Sequence, residues 1–194
     1  MAEHLTADDL ILDSLRRRMR AMHSLYRDAA ASMDLEHVNH LGDHGGLPIA
    51  FSWFHIVNMI DASFMLLTGA APIWDADWAT RVGVGIDDHG KHRTHEEMRD
   101  QRIGDLAAMV AYQEAVFART EAWLDGIDPS ELTRVVIAHP LPPMIASTFS
   151  ARVAGEAGIT VLDGVECWIY QHGMRHMGEI EYVRGTLGLG GMTS

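Results

Sequence analysis

Val161-Leu-Asp-Gly-Val165-Glu-Cys167-Trp168-Ile169-Tyr170-Gln-His172-Gly173-Met-Arg175-His176-Met-Gly178-Glu179-Ile180-Glu-Tyr-Val183-Arg184-Gly-Thr-Leu187 carries one apolar stripe. Val161, Val165, Trp168, Ile169, Ile180, Val183 and Leu187 recur at helical steps, and His172 and His176 occupy the middle of the same stripe. A core-facing helix is therefore interrupted by two imidazoles one turn apart. Side chains at that spacing lie roughly 5–6 Å apart. That suits two nitrogens on one metal ion at about 2.0–2.1 Å each.

Three further long helical patterns precede this one. The first opens at Thr6, with Asp8 and Asp9 suited to the positive helix end, and is expected to run to Met33. Leu10, Leu15, Met19, Met22 and Tyr26 mark its inward face. The second starts at Pro48, runs from Ile49 to Thr68 and stops at Gly69. It is apolar almost all round, the mark of a helix buried on most sides, yet His55 stands in its middle. The third is expected from Thr94, where Glu97 completes a capping-box pattern, to Trp123. Met98, Ile103, Leu106, Met109, Val110, Gln113, Phe117 and Trp123 mark its face. The segments 70–91 and 128–158 read as irregular, with short helical turns near Asp75 and Asp128. Four long helices joined by irregular loops predict an all-α four-helix bundle, a single domain over residues 1–188, and a disordered tail over 189–194.

Composition narrows the function classes. A formal net charge of −12, with Arg16-Arg17-Arg18 as the only basic run, disfavours nucleic acid. The single cysteine, Cys167, forbids an internal disulfide and fits a reducing, cytoplasmic setting. The N-terminus shows no secretory pattern, and His55, Asn58 and Asp61 break the longest apolar stretch, so no membrane span is expected. Twelve histidines is a high count, and they are dispersed. Burying His55, His172 and His176 is costly unless each is hydrogen-bonded or ligated. On residues alone, satisfied core histidines and a metal site are both open readings.

The segment from His172 to Gly188 resembles the last helix of the DinB/YfiT-like metalloenzyme superfamily, in which a His-x3-His pair is followed by Gly and Gln or Glu. Leu47-Pro48-Ile49-Ala-Phe-Ser-Trp-Phe-His55 resembles the segment bearing that family's third histidine. The resemblance implies a four-helix bundle holding one divalent ion, zinc or nickel, through His55, His172 and His176. Gly173 and Arg175 depart from relatives that carry Glu or another His beside the pair. Three protein ligands leave an open position, the arrangement of a catalytic site. The family likeness implies activation of a low-molecular-weight thiol, in a transferase or isomerase acting on a small-molecule substrate. A metal-dependent hydrolase and a non-catalytic metal-binding or stress-related bundle are the alternatives. A homodimer is expected from family habit and from the apolar surface of the second helix.

Asn58 and Glu179, each about one turn from a histidine, are candidates to orient the rings. His89, His92 and His95 read as a solvated helix start, and His37, His40 and His44 as a surface loop. Cys167 reads as a small core residue. A di-iron carboxylate centre is excluded by the lack of paired Glu-x-x-His motifs in the long helices.

Overall fold

The computed structural model describes residues 6–42 and 45–190. His44, most of the N-terminal segment and the last four residues of the tail lie outside that range. The fold is mostly helical. Helix α1 spans Ala7–Ala31, α2 Leu35–Asn39, α3 Ile49–Thr68, α4 Ala76–Val82, α5 His95–Arg99 and α6 Leu106–Gly126. A 3-10 turn over Pro129–Thr133 leads to strand β1, Val135–Ala138. Helices α7, Pro143–Ala146, and α8, Phe149–Val153, precede strand β2, Gly158–Thr160. The last helix runs without interruption through α9, Val161–Gly164, a π-helical segment, Val165–Tyr170, and α10, Gln171–Thr186.

The long helices share one core. Helix α10 packs against α3, and α1 packs against α6 and α10. Thr6 and Asp9 cap α1 reciprocally, so two free N–H groups at that end are satisfied. The buried stripe of α1 is Leu12, Leu15, Met19, Met22 and Tyr26. Leu10, expected inside, is 56% exposed, because Leu12 rather than Leu10 continues the step from Leu15. In α3, fifteen of twenty residues are buried. Among the described residues it is the one helix long and apolar enough to cross a membrane, but 78% of that window is buried inside the fold. Its apolar surface is spent on the core.

Asp61, buried near the middle of α3, ties three elements together. It accepts from the backbone N–H groups of Ile73 and Trp74 at 2.9 and 2.8 Å and from the Tyr112 hydroxyl at 3.0 Å, and it pairs with Arg119. A buried carboxylate persists only with such full satisfaction.

Two expectations need correction. The helix predicted from Thr94 to Trp123 is two helices. Thr94 and Glu97 do form the capping box, but α5 ends at Arg99 and Asp105 caps a new helix through Ala108 N–H. The intervening backbone is bonded elsewhere. Gly104 and Asp105 N–H both donate to the Val82 carbonyl, and the Asn39 side chain brackets Ile103. The all-α reading also missed a small sheet. Strands β1 and β2 pair antiparallel, with Ile137 opposite Ile159 and an irregular register toward Val135. Strands this short give no alternation to read. Beyond Thr186, Leu189 N–H donates to the Arg184 carbonyl at 3.0 Å and its side chain rests against the core, so order continues into the expected tail.

His23 on α1 went unremarked in the sequence. It is fully buried, stacked on Phe117 with ring centroids 3.8 Å apart, and its Nδ1 lies 2.6 Å from Glu121 Oε1. Burial pushes its pKa down to about 4, against the pull of Glu121. The unfolded chain therefore takes up a proton near pH 6.5 that the folded chain refuses until about pH 4, and stability falls as pH drops through that window. The expected size is of the order of 3 kcal/mol. Chemical denaturation of the parent and of His23→Gln at pH 7 and pH 4.5 should show a smaller acid loss in the variant; equal losses would refute the account.

Candidate metal centre

His55 projects from α3, and His172 and His176 project from α10 one turn apart. Their ring nitrogens converge. The Nε2 atoms of His172 and His176 are 2.9 Å apart, and those of His55 and His172 are 3.4 Å apart. One nitrogen from each ring lies within 4.8 Å of the others. Two ligands at about 2.0–2.1 Å from a tetrahedral ion are separated by roughly 3.3 Å. The residues present fit such an ion.

The opposite sides of the His55 and His176 rings are fixed. His55 Nδ1 faces the His89 backbone carbonyl. His176 Nδ1 lies 2.7 Å from Glu179 Oε2. A carbonyl or carboxylate can only accept, so the Nδ1 atoms of His55 and His176 carry a proton, and in a ring protonated only there Nε2 is a bare lone pair facing inward. Lone pairs facing one another repel unless a proton or a cation lies among them. Burial, then the neighbouring His176 ring, pushes the His55 pKa down to about 4. Burial and the neighbouring rings push His172 to about 3. Both rings are therefore neutral at pH 7, the state in which imidazole ligates.

Local structure explains the aim. The π-helical segment ends at Tyr170, two residues before His172; such single-turn widenings recur at functional sites. Gly173 lets α1 approach α10 closely. A Cβ there would lie 2.2 Å from Met22 Sδ, and the Tyr26 hydroxyl donates to the Gly173 carbonyl at 2.7 Å. The Gly beside the histidine pair is thus a packing requirement.

Glu179 reaches His176, as its spacing suggested, and also accepts from Ser52 Oγ at 2.8 Å, joining α10 to α3. Burial raises the Glu179 carboxyl, but the His176 ring and the Ser52 hydroxyl more than offset this and hold it below its ordinary range. Asn58 does not orient His55: its Nδ2 contacts the Tyr112 hydroxyl at 3.4 Å. The His89 carbonyl takes that place. Backbone carbonyls have no sequence signature, so nothing in the chain could have announced it. The loop presenting it is held by Arg93 on Asp88 at 2.6 Å and by Gly90, whose φ of 70° and closeness to the Phe51 ring leave no room for a side chain.

His92 and His95 are exposed, as expected of a solvated helix start. Asp88, His89 and His92 form a second close grouping, but the Asp88 carboxylate is already engaged by Arg93 and by Gly90 N–H. His37 belongs to the cap of α2, and His40 lies outside both groupings. Cys167, read as a core residue, is only half-buried and lines a cavity of about 320 Å³ that opens onto His55 and His172. Burial, then Asp163 and Glu166, pushes its thiol up to about 11, so it is a poor nucleophile at neutral pH.

No protein-family profile matches this chain, and no curated protein matches it. A crystal structure of a conserved protein from Enterococcus faecalis is similar, with 17% identity, a TM-score of 0.72, and coverage of 95% of this chain and 99% of that chain. At that identity the likeness shows a shared fold and carries no chemistry.

If Glu179 fixes His176, Glu179→Ala should weaken zinc binding by about 10–100-fold while leaving the far-ultraviolet circular dichroism unchanged. Competition against a chromophoric chelator measures this. Unaltered affinity would show that Glu179 plays no part in orienting the ligand.

Proposed function

We propose that this chain is a four-helix bundle of the DinB/YfiT-like kind, built from α1, α3, α6 and the last helix. It holds one divalent ion, zinc or nickel, through His55, His172 and His176. The observation that carries the reading is the convergence of three Nε2 atoms, with the Nδ1 sides of His55 and His176 already committed. Satisfied core histidines would pair with donors; here the nearest neighbours of two rings are other rings.

Three ligands from protein leave a coordination position facing the cavity. An ion there supplies Lewis acidity that favours the thiolate form of a bound low-molecular-weight thiol at neutral pH. The residues do the remaining work. His55 and His172 stay neutral through burial, and the His89 carbonyl and Glu179 keep the His55 and His176 rings in place. Met59 and Trp168 give the cavity an apolar wall against which a small electrophile can rest.

A thiol is favoured over water by the family likeness, and among the described residues no carboxylate lines the cavity to act as general base. A thiol needs none, since coordination itself releases its proton to solvent. Cys167 does not supply the sulfur, its thiol being held too basic. The reading is therefore a cytoplasmic thiol-dependent transferase or isomerase acting on a small molecule. Homodimer formation belongs to the same proposal, resting on family habit and on Met65 and Leu66, which α3 leaves exposed.

Metal content per chain, measured by inductively coupled plasma mass spectrometry on untagged protein purified without chelator, tests the site. About one equivalent is expected in the parent. His55→Ala and His172→Ala should each lose it while remaining folded. A parent protein that takes up no zinc or nickel even when supplied would contradict the proposal.

A further inference from the structure

The cavity beside the three histidines has a charge pattern at odds with the chain. The protein carries a formal net charge of −12, yet among the described residues neither Asp nor Glu lines this cavity, whereas Lys91 and Arg175 both do. Lys91 is the only lysine in the sequence.

The partners of the other cations sharpen the point. Eight arginines, 16, 17, 18, 20, 27, 93, 119 and 134, pair with carboxylates. Arg99, Arg102 and Arg184 bond to carbonyl or hydroxyl oxygens, and Arg81 lies over the Trp78 ring. Among the described residues, the side chains of Lys91, Arg152 and Arg175 alone have no such partner, and two of those three line the cavity. Acids lie close in sequence to both: Asp88 before Lys91 and Glu179 after Arg175. Asp88 is taken by Arg93, and Glu179 by His176 and Ser52. The fold commits Asp88 and Glu179 elsewhere and leaves both cations available to a ligand.

We propose that Lys91 and Arg175 form an anion-recognition pair in this cavity, and that its ligand is a small organic molecule with a carboxylate at one end. The proposal rests on the metal reading above, because the ligand's other end reaches the histidine centre. Arg175 lies one residue before His176 on α10, and Lys91 two residues after His89, whose carbonyl holds His55. The two cations therefore enter from separate elements, each attached to the backbone that positions a histidine. Met59 and Trp168 offer an apolar wall to the carbon skeleton, and a volume of about 320 Å³ suits a molecule of modest size. Guanidinium and ammonium groups bind carboxylate by charge-assisted hydrogen bonds.

Two thiols of similar size separate charge from sulfur: 3-mercaptopropionate, a carboxylate, and 2-mercaptoethanol, a neutral alcohol. Zinc-loaded full-length protein is titrated with each by isothermal calorimetry at low ionic strength, and zinc per chain is measured in every sample. The expected result is binding of 3-mercaptopropionate tighter by about tenfold or more. That preference should vanish in the K91Q/R175Q double variant and persist in R152Q, which removes the unpartnered cation outside the cavity. Equal affinities in the parent, or a preference kept in K91Q/R175Q, would overturn the anion pair while leaving the metal reading intact. Absence of zinc from the parent would overturn both, and zinc-loaded protein binding neither thiol would count against the pair and against thiol activation together.

Discussion

Imidazole nitrogens brought face to face need a proton or a cation between them, and the contact between α3 and α10 is arranged around three such rings. Hydrophobic burial brings these helices together, since α3 is buried over most of its surface and α10 contributes Met177 and Ile180 to the core. Left alone, that burial would favour an apolar residue at each histidine position. The histidines instead impose requirements on the surroundings: a carbonyl from the loop at His89, a carboxylate at Glu179, a hydroxyl at Ser52, and a glycine at 173 so that α1 can close on the same helix. Each is a cost or constraint that a purely structural core would avoid. Their joint presence is best understood if a cation completes the centre.

Much of this was legible because helices write their geometry into sequence with a fixed period. The stripe from Val161 to Leu187 placed His172 and His176 on one face, and the apolar surround of His55 marked it as buried. Glu179 was reachable because one helical turn separates it from His176. The remainder depended on chain-distant placement. The His89 carbonyl acts through backbone, which every residue has. Lys91 and Arg175 are far apart in sequence, and nothing local announces that they share a cavity. Asn58 departs from its expected place because turn spacing gives proximity along a helix but not the pull of Tyr112 across it.

The fold's departures from the expected pattern have the same origin. The third long helix divides because Val82 and Asn39 claim the backbone groups that a continuous helix would have used. The segment between α6 and the last helix forms a short sheet through pairing between its two ends, where neither strand is long enough to show alternation. The segment between the strands contributes Ser147, Thr148 and Phe149 to the cavity wall. The region least readable in sequence thus shapes the entrance to the site.

X-ray absorption at the zinc edge of zinc-loaded protein tests the central claim most directly. The account predicts three imidazole nitrogens at about 2.0–2.1 Å plus one light exchangeable ligand, replaced by a sulfur at about 2.3 Å when a small thiol is added. A closed shell of four protein ligands, indifferent to thiol, would contradict an open centre, and a spectrum without imidazole scattering would contradict the centre itself.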